Sequence, residues 1–417
     1  MTRPLRIALL SYRSKPHCGG QGVYVRHLSR ELSALGHRVE VFSGQPYPGL
    51  DPGPVLREVP SLDLYRDGDP FRTPRLGEYR DWTDVLETVM MWGGAFPEPL
   101  TFSIRALRAL AARAHEFDVV HDNQGLGYGM LGVRRLGLPL VTSIHHPISV
   151  DKRIDMASLG WLEALSRRRW YGFVRMQARV ARRAGPLITV SESSKRDICR
   201  DFRVRRELVH IVPLGVDTRV FSPGQGGAAQ HGRVPGRIVT VASADSPLKG
   251  LPTLLRAVAK LLTERDVHLV VIGKPSEATE RQAAQLSLGT RVTFTHGLAD
   301  RQFAALLASA EIAVVPSMYE GFSLPAVEHM ASGTPLVASR AGALPEVTGD
   351  AAVLVSPGDV EELAAALRRL HDSPAERARL SGRALLRVSE RFAWPAVAAA
   401  TARLYQAAIA GTGQARC

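Results

Sequence analysis

The sequence predicts an α/β protein built from two doubly wound parallel-sheet domains facing a cleft, with a last helix crossing back to the first domain. Three observations carry that expectation. Short apolar runs alternate with helix-period segments, the pattern of a parallel sheet covered by helices. The alternation stops once, at "FSPGQGGAAQHGRVPG" (221–236), which has turn residues and no periodicity, and then restarts. The chain is also 417 residues long, while single cores rarely grow past about 250–300 residues.

In order, "RIALLSY" (6–12) reads as a strand, "GVYVRHLSRELSALG" (22–36) as a helix closed by Gly36, and "HRVEVFS" (37–43) as a second strand. "FDVVH", "LPLVTSIHH" and "PLITVSES" are further β-type runs that end in polar residues. In open α/β sheets ligands sit at such C-terminal strand ends. After the linker come "RIVTVAS", the helix "GLPTLLRAVAKLLTE", "VHLVVIG", "RVTFTHG", "DRQFAALLASA" and "EIAVVPS". These repeats give two Rossmann-like domains over 1–212 and 213–392, and "WPAVAAATARLYQAAIAG" supplies the crossover helix of 393–417. Residues 61 to 100, polar and turn-rich and then apolar with two prolines, break the pattern. They read as an insertion over the mouth of the first domain, either a surface excursion or an acceptor-binding element.

A hydrophobic content of 45% with 22% charged residues describes an ordinary globular chain and excludes a disordered one. Cys18, Cys199 and Cys417 are scattered and odd in number, so they form neither a disulfide framework nor a zinc spacing. A reducing, cytoplasmic compartment fits them. The opening "MTRPLRIALLSY" is too short in apolar residues for a signal peptide, and no run approaches the roughly 18 apolar residues of a spanning helix. The formal net charge of +13 asks for an anionic partner. No nucleic-acid-reading module accompanies it. The basic stretch "RRRWYGFVRMQARVARR" (167–183) leaves open peripheral contact with an anionic membrane, on its cytoplasmic face, or simple packing of its apolar side. Lysines number six against a large arginine excess, which also fits a compositional bias.

The stretch "PSMYEGFSLPAVEHMASGTPLVAS" (316–339) holds Glu320 and Glu328 with Gly321 and Pro325 between them. Gly and Pro argue against one unbroken helix. Glu320 is expected in the loop after a buried strand, and Ser323 or Leu324 is expected to cap a helix with Pro325 in its first turn. Glu328 then lies about one turn inside. The N–H groups of Gly321, Phe322 and Ser323 are left beside a helix N-terminus that favours anions. Two carboxylates and free amides in this order suit a polyhydroxylated ligand with a phosphate, such as a sugar nucleotide. In "ASADSPLKG" (242–250), Lys249 stands at the mouth of the next helix, where an ammonium can pair with a diphosphate. "CGGQG" (18–22) opens the first helix with Gly20 and Gly22, but Val25 stands where a dinucleotide fingerprint needs glycine. A glycine loop offering N–H groups to a phosphate fits better. "DGD" (67–69) reads as a turn, and no metal is assigned.

E-G-F-S-L-P-x-x-E followed by "MASGTPLVASRAGALPEV" resembles the E-x7-E signature of retaining glycosyltransferases of family 4, which have the two-domain GT-B fold. "GGQGVYVRHLSRELSALGHRVEVF", "VSESSKRDI", "HIVPLGVDTRVFSP", "LKGLPTLLRAV" and "VVIGKP" stand in the same family's order, so the resemblance spans about 350 residues. It implies a hexosyltransferase with a nucleotide diphosphate sugar (UDP- or GDP-linked) as donor, an unspecified lipid, glycan or small-metabolite acceptor, and no cofactor or required metal. The first domain would bind acceptor and the second the donor. Glu320 would contact the donor sugar, Glu328 the ribose diol, Lys249 the diphosphate and His145 the transferred sugar. Backbone around Gly273, Lys274 and Leu298 would meet the base, and Gly321, Phe322, Ser323 and Leu324 would frame the donor. The chain departs from the family in one place. The arginine usual before the lysine is replaced by "SAD" at 243–245, so Arg340 or Lys274 would have to stand in, or the amides alone hold the phosphate. A sugar phosphorylase on the same fold and a catalytically weak sugar-nucleotide binder are the competing readings.

Overall fold

The computed structural model describes residues 3–14, 20–66, 68–149, 152–153, 156, 160–224, 232–242 and 247–414. Seven parallel strands form one sheet: β1 (Arg6–Ser11), β2 (Arg38–Ser43), β3 (Val55–Glu58), β4 (Val119–Asn123), β5 (Leu140–Ser143), β6 (Leu187–Thr189) and β7 (Val209–Ile211). Their spatial order is β3-β2-β1-β4-β5-β6-β7. Six parallel strands form the other: β8 (Val234–Val241), β9 (His268–Ile272), β10 (Val292–Thr295), β11 (Ala310–Val315), β12 (Leu336–Ser339) and β13 (Ala352–Val355), in the order β10-β9-β8-β11-β12-β13.

Both orders reverse direction once, between β1 and β4 and between β8 and β11. In doubly wound sheets that switch point opens a crevice at the carboxyl ends of the two strands. β4 and β11 are buried at every position, as strands covered by helices on both faces must be. Compact units follow the sheets: one holds 1–190, 194–212 and 394–417, the other 191–193 and 213–393. β8 begins at Val234, inside the segment expected to be a linker.

The last helix, Trp394–Gln414, belongs to the first unit. Trp394 stacks on His27 at 5.2 Å, and the fully buried Tyr405 hydroxyl lies 2.6 Å from His121 Nδ1. His121 Nε2 lies 2.6 Å from Ser143 Oγ, so the helix is tied through one imidazole to the ends of β4 and β5.

Residues 61–100 are more than an excursion. Leu62, Leu64, Tyr65 and Met91 form a small core with Phe96 and Trp170 packed against it, and a helix not expected from the sequence runs over Trp82–Trp92. The basic stretch forms helices Trp161–Trp170 and Gly172–Ala184. Trp170 and Phe173 pack against Phe96, and Val174, Met176, Val180 and Ala181 are buried. The apolar side that a membrane reading needs therefore faces the core, and arginines remain outside. No described helix is long and apolar enough to cross a membrane.

Much of the arginine excess has partners. Glu40 on β2, 1% exposed, accepts hydrogen bonds from Arg38, Arg57 and Arg113 at 2.8–3.1 Å. Burial acts to raise this carboxyl, but the three guanidinium groups outweigh it and hold it at about 2. Its folded value lies below the ordinary one, so the stabilisation is present above pH ~4.5 and is lost as pH falls toward ~2. Glu40→Gln is expected to lose up to about 3 kcal/mol at pH 7. The gap to wild type should narrow steadily in melts at pH 4 and pH 3; a gap independent of pH would contradict the charge-based account.

Candidate active site

In the second unit, β11 delivers the chain into the loop Pro316–Ser323, and helix Leu324–Ala331 follows with Pro325 in its first turn. Glu320 is 8% exposed. Its Oε1 accepts two hydrogen bonds, from Lys249 Nζ at 2.8 Å and from Ser317 Oγ at 2.8 Å. Lys249 ends a short 3-10 turn, Pro247–Lys249, after β8. The switch-point strands β8 and β11 thus supply the two members of one ion pair.

Backbone contacts lock this geometry. The Met318 N–H donates to Leu248 O at 2.7 Å, and the Ala343 N–H donates to Glu320 O at 2.9 Å. Two glycines permit the close approach. A Cβ on Gly250 (φ +67°) would fall 1.9 Å from Pro316 O, and one on Gly342 (φ +54°) would fall 2.1 Å from Glu320 O. No larger residue fits either position without moving the carboxylate loop.

Ser323 precedes the helix with φ +79°, a left-handed conformation unusual for a residue with a side chain. Such strain costs on the order of 1–3 kcal/mol and collects at ligand clamps. Its Oγ is buried and makes no hydrogen bond among the described residues, so it does not cap the helix. The first-turn N–H groups therefore keep no side-chain acceptor, which leaves them for an anion. Glu328 sits one turn further, half-buried, and its carboxylate accepts no hydrogen bond among the described residues. Burial first, and the charge of Asp300 second, push it up to about 7.

The other expected donor residues of this unit are placed around β9 and β10. Gly273 is buried and donates to Thr295 O at 2.7 Å. Lys274 is exposed, and Leu298 packs half-buried beside Val239 and Ile272. Phe322 is buried edge-on against Phe392 at 5.7 Å, so its side chain anchors the loop. Arg340 donates to Leu354 O and lines a groove of about 570 Å³ with Arg369, Arg383 and Glu362, next to β13. It is not a partner of Glu320. The "SAD" segment at 243–245 lies outside the described residues, as does Asp67 of "DGD"; Asp69 pairs with Arg66.

In the first unit, helix Gly20–Ala34 starts at the predicted glycines. His145 follows β5. Its Nε2 lies 2.7 Å from Asn123 Oδ1, its N–H donates to Gln124 Oε1 at 3.2 Å, and Tyr24 meets its ring edge-on at 4.3 Å. Burial pushes the imidazole down to about 4, so it is neutral at pH 7. With the Nε2 proton donated to the Asn123 carbonyl, Nδ1 carries a lone pair. That Nδ1 and Asn123 Nδ2 are buried without a partner among the described residues. An acceptor and a donor are thus held side by side with hydrogen-bonding capacity unused by the described residues.

Several supports were not singled out in the sequence. Gln177 donates to the carbonyls of Gln124 and Gly125, so the basic helix braces the loop beneath His145. Asp122 accepts the Leu126 N–H at 2.7 Å and holds that turn. Ser317 could have been suspected only from its place three residues before Glu320. Gln177 carries no sequence signal at all.

Residues 18–220 match the model described as Glycosyltransferase Family 4, and residues 235–373 match Glycosyl transferases group 1. The chain is 57% identical over 412 residues to an MMP alpha-(1->4)-mannosyltransferase of Mycolicibacterium hassiacum, covering 97% of this chain and 99% of that one. The chain belongs to glycosyltransferase family 4. A D-inositol 3-phosphate glycosyltransferase of Streptomyces avermitilis is 30% identical, with 98% and 89% covered. The family's GT-B architecture is shared with sucrose-phosphate synthase from Thermosynechococcus elongatus (TM-score 0.73, 23% identity, 98% and 100% covered). Anabaena Alr3699/HepE in complex with UDP-glucose is a further fold neighbour (TM-score 0.67, 19% identity, 97% and 100% covered). The protein is a glycosyltransferase.

The raised Glu328 carboxyl has a consequence for this family 4 enzyme without ligand. Its folded value, about 7, exceeds the ordinary 4.5, so the stability it contributes is full below pH ~4.5 and lost as pH rises through ~7. Glu328→Gln should melt on the order of 3–8 °C above wild type at pH 8 and level with it at pH 4.5. A melt at both pH values checks this.

Proposed function

We propose that this glycosyltransferase moves a hexosyl unit, and in the first instance a mannosyl unit, from a UDP- or GDP-linked sugar to a hydroxyl of a lipid, glycan or small-metabolite acceptor. The anomeric configuration is retained, and no metal is required at the transfer centre. The observation that carries this reading is the second unit's constellation: Glu320 held by Lys249 and Ser317 beside an uncapped helix N-terminus, with the unpaired Glu328 one turn on. The mannosyl choice rests on the name of the 57% identical relative. A fold neighbour with UDP-glucose bound fits the donor class. The scattered cysteines support a cytoplasmic location.

The parts divide by chemistry. Ribose hydroxyls donate to Glu328 in its ionised form. The diphosphate takes the first-turn amides and the free donors of Lys249, whose ammonium has three N–H bonds and commits one to Glu320. Glu320 Oε2 accepts from a hydroxyl of the transferred sugar. In the transfer step the acceptor oxygen bonds to the anomeric carbon on the face the leaving group vacates. The bond from that carbon to the β-phosphate oxygen breaks, its electron pair leaves with the nucleoside diphosphate, and the acceptor proton passes to that phosphate. Lys249 and the helix N-terminus stabilise the developing charge, the kind of preorganised electrostatics that contributes most to such steps.

A thermal-shift and turnover panel of UDP, GDP, ADP and their sugars tests the reading. One nucleotide should stabilise the protein, and its sugar should be consumed with retention. Glu320→Ala should abolish transfer, and Lys249→Ala should lower kcat by roughly 10²–10³-fold. Glu328→Ala should weaken nucleotide binding by about 1–3 kcal/mol, and wild-type affinity should rise from pH 6 to pH 8 as Glu328 ionises. Turnover that needs inorganic phosphate and no nucleotide would replace this function with phosphorolysis.

A further inference from the structure

Helix Trp82–Trp92 is inverted with respect to solvent. Its two charged residues, Asp84 and Glu87, are each 1% exposed, and Thr83 and Thr88 are buried with them. Arg105 reaches both carboxylates, and Arg80 adds two hydrogen bonds to Asp84 at 2.9 Å. The face turned outward is apolar throughout: Trp82 is 58% exposed, Val85 49%, Val89 54% and Trp92 62%. A surface helix ordinarily does the reverse. Here the buried ion cluster fixes which side faces in, so the apolar stripe cannot rotate out of water.

The stripe is also symmetric. Its spacings are three, four and three residues (82 to 85, 85 to 89, 89 to 92), with Trp at both ends and Val in the middle. A two-fold interface brings one patch against its own copy, so that residue i meets j and j meets i. Laid antiparallel on a second copy, each Trp82 faces the other Trp92 and each Val85 the other Val89. At the helix N-terminus Arg108 lies 4.8 Å over the Trp82 ring and pairs with Asp81 at 2.5 Å, so the polar rim at that end is neutral. Gly93 and Gly94 follow the helix C-terminus, and a Cβ at Gly94 would touch nothing, so the approach is open.

Size points the same way. Two tryptophans and two valines about half exposed present on the order of 400–500 Å² of apolar surface, enough to mark an interaction site. Two such stripes, with the half-buried Leu86 and Met90 beside them, would bury on the order of 1,000 Å² in total, the size at which a specific interface begins. We propose that helix Trp82–Trp92 is the two-fold interface of a homodimer, pairing antiparallel with the same helix of a second copy.

Light scattering of the full chain on a sizing column tests this. Wild type should run as a dimer, while Val85→Glu and Val89→Glu should each run as monomers with unchanged melting and nucleotide stabilisation. Under mild oxidation a Val85→Cys/Val89→Cys double variant should cross-link between copies, with peptide mapping joining position 85 of one copy to 89 of the other above the parent chain's background. A monomeric wild type at micromolar concentration overturns the proposal, as does a dimer that survives both glutamates. If wild type instead sediments with phosphatidylglycerol vesicles and Val85→Glu does not, the stripe serves a lipid surface and the second copy is excluded.

Discussion

The second unit is organised around one carboxylate. The Glu320 carboxylate ties the turn after β8, through Lys249, to its own loop after β11, through Ser317, while its backbone carbonyl accepts the Ala343 N–H from the loop after β12. A carboxylate so nearly buried is unfavourable unless it is paired and hydrogen-bonded. The pairing residue is a lysine that keeps other donors for a second anion. The same constraint explains Gly250 and Gly342, because three backbone segments approach closer than a Cβ permits. It also accounts for the strained Ser323: a loop fixed at Glu320 and re-entering a helix four residues on has little freedom in its path. The Ser323 hydroxyl and the Glu328 carboxylate, at the start and one turn into the following helix, have no hydrogen-bond partner among the described residues.

The first unit solves a different problem with neutral groups. The ends of β4 and β5 are almost wholly buried and carry His121, Asp122, Asn123, Thr142 and Ser143 in sequence. Asp122 is consumed by its own turn, and His121 is consumed by Tyr405 and Ser143. His145 and Asn123 satisfy each other on one side only. Burial keeps both imidazoles neutral, with His121 pushed to about 3 and His145 to about 4. These strand ends therefore offer neutral hydrogen-bonding groups and no cation. The C-terminal helix contributes by completing His121, so chain that is remote in sequence holds the strand next to the candidate residue.

Part of the arginine content has a local use. Arginines are used as counter-ions for carboxylates inside the first unit: Glu40 has three, Asp84 and Glu87 share Arg105, and Glu98 accepts from Arg13. A planar guanidinium can serve two carboxylates at once, which a lysine does less well. The helix over 82–92 shows the result: once its acids are locked inward, its apolar residues have nowhere to go but outward.

The sequence by itself determined the alternation of strand and helix, the two sheets, the break between Glu320 and Glu328, and the family. These features are local: periods, punctuating Gly and Pro, and a signature of nine residues. The placement of Glu320 after β11 and of Glu328 one turn into a helix was legible because Pro325 and Gly321 restrict the backbone whatever surrounds them. Three things needed tertiary structure. Lys249 and Glu320 are 71 residues apart and meet only because β8 and β11 are neighbours at the switch point. Gln177 reaches beneath His145 only because helix Gly172–Ala184 packs its apolar side inward, the packing alternative that the basic run left open. The orientation of the 82–92 helix was likewise hidden. Its pattern shows an apolar and a polar face, and hydrophobicity alone would have buried the wrong one. Arg105, on another helix, decides the matter, because two desolvated carboxylates must go where their counter-ion is.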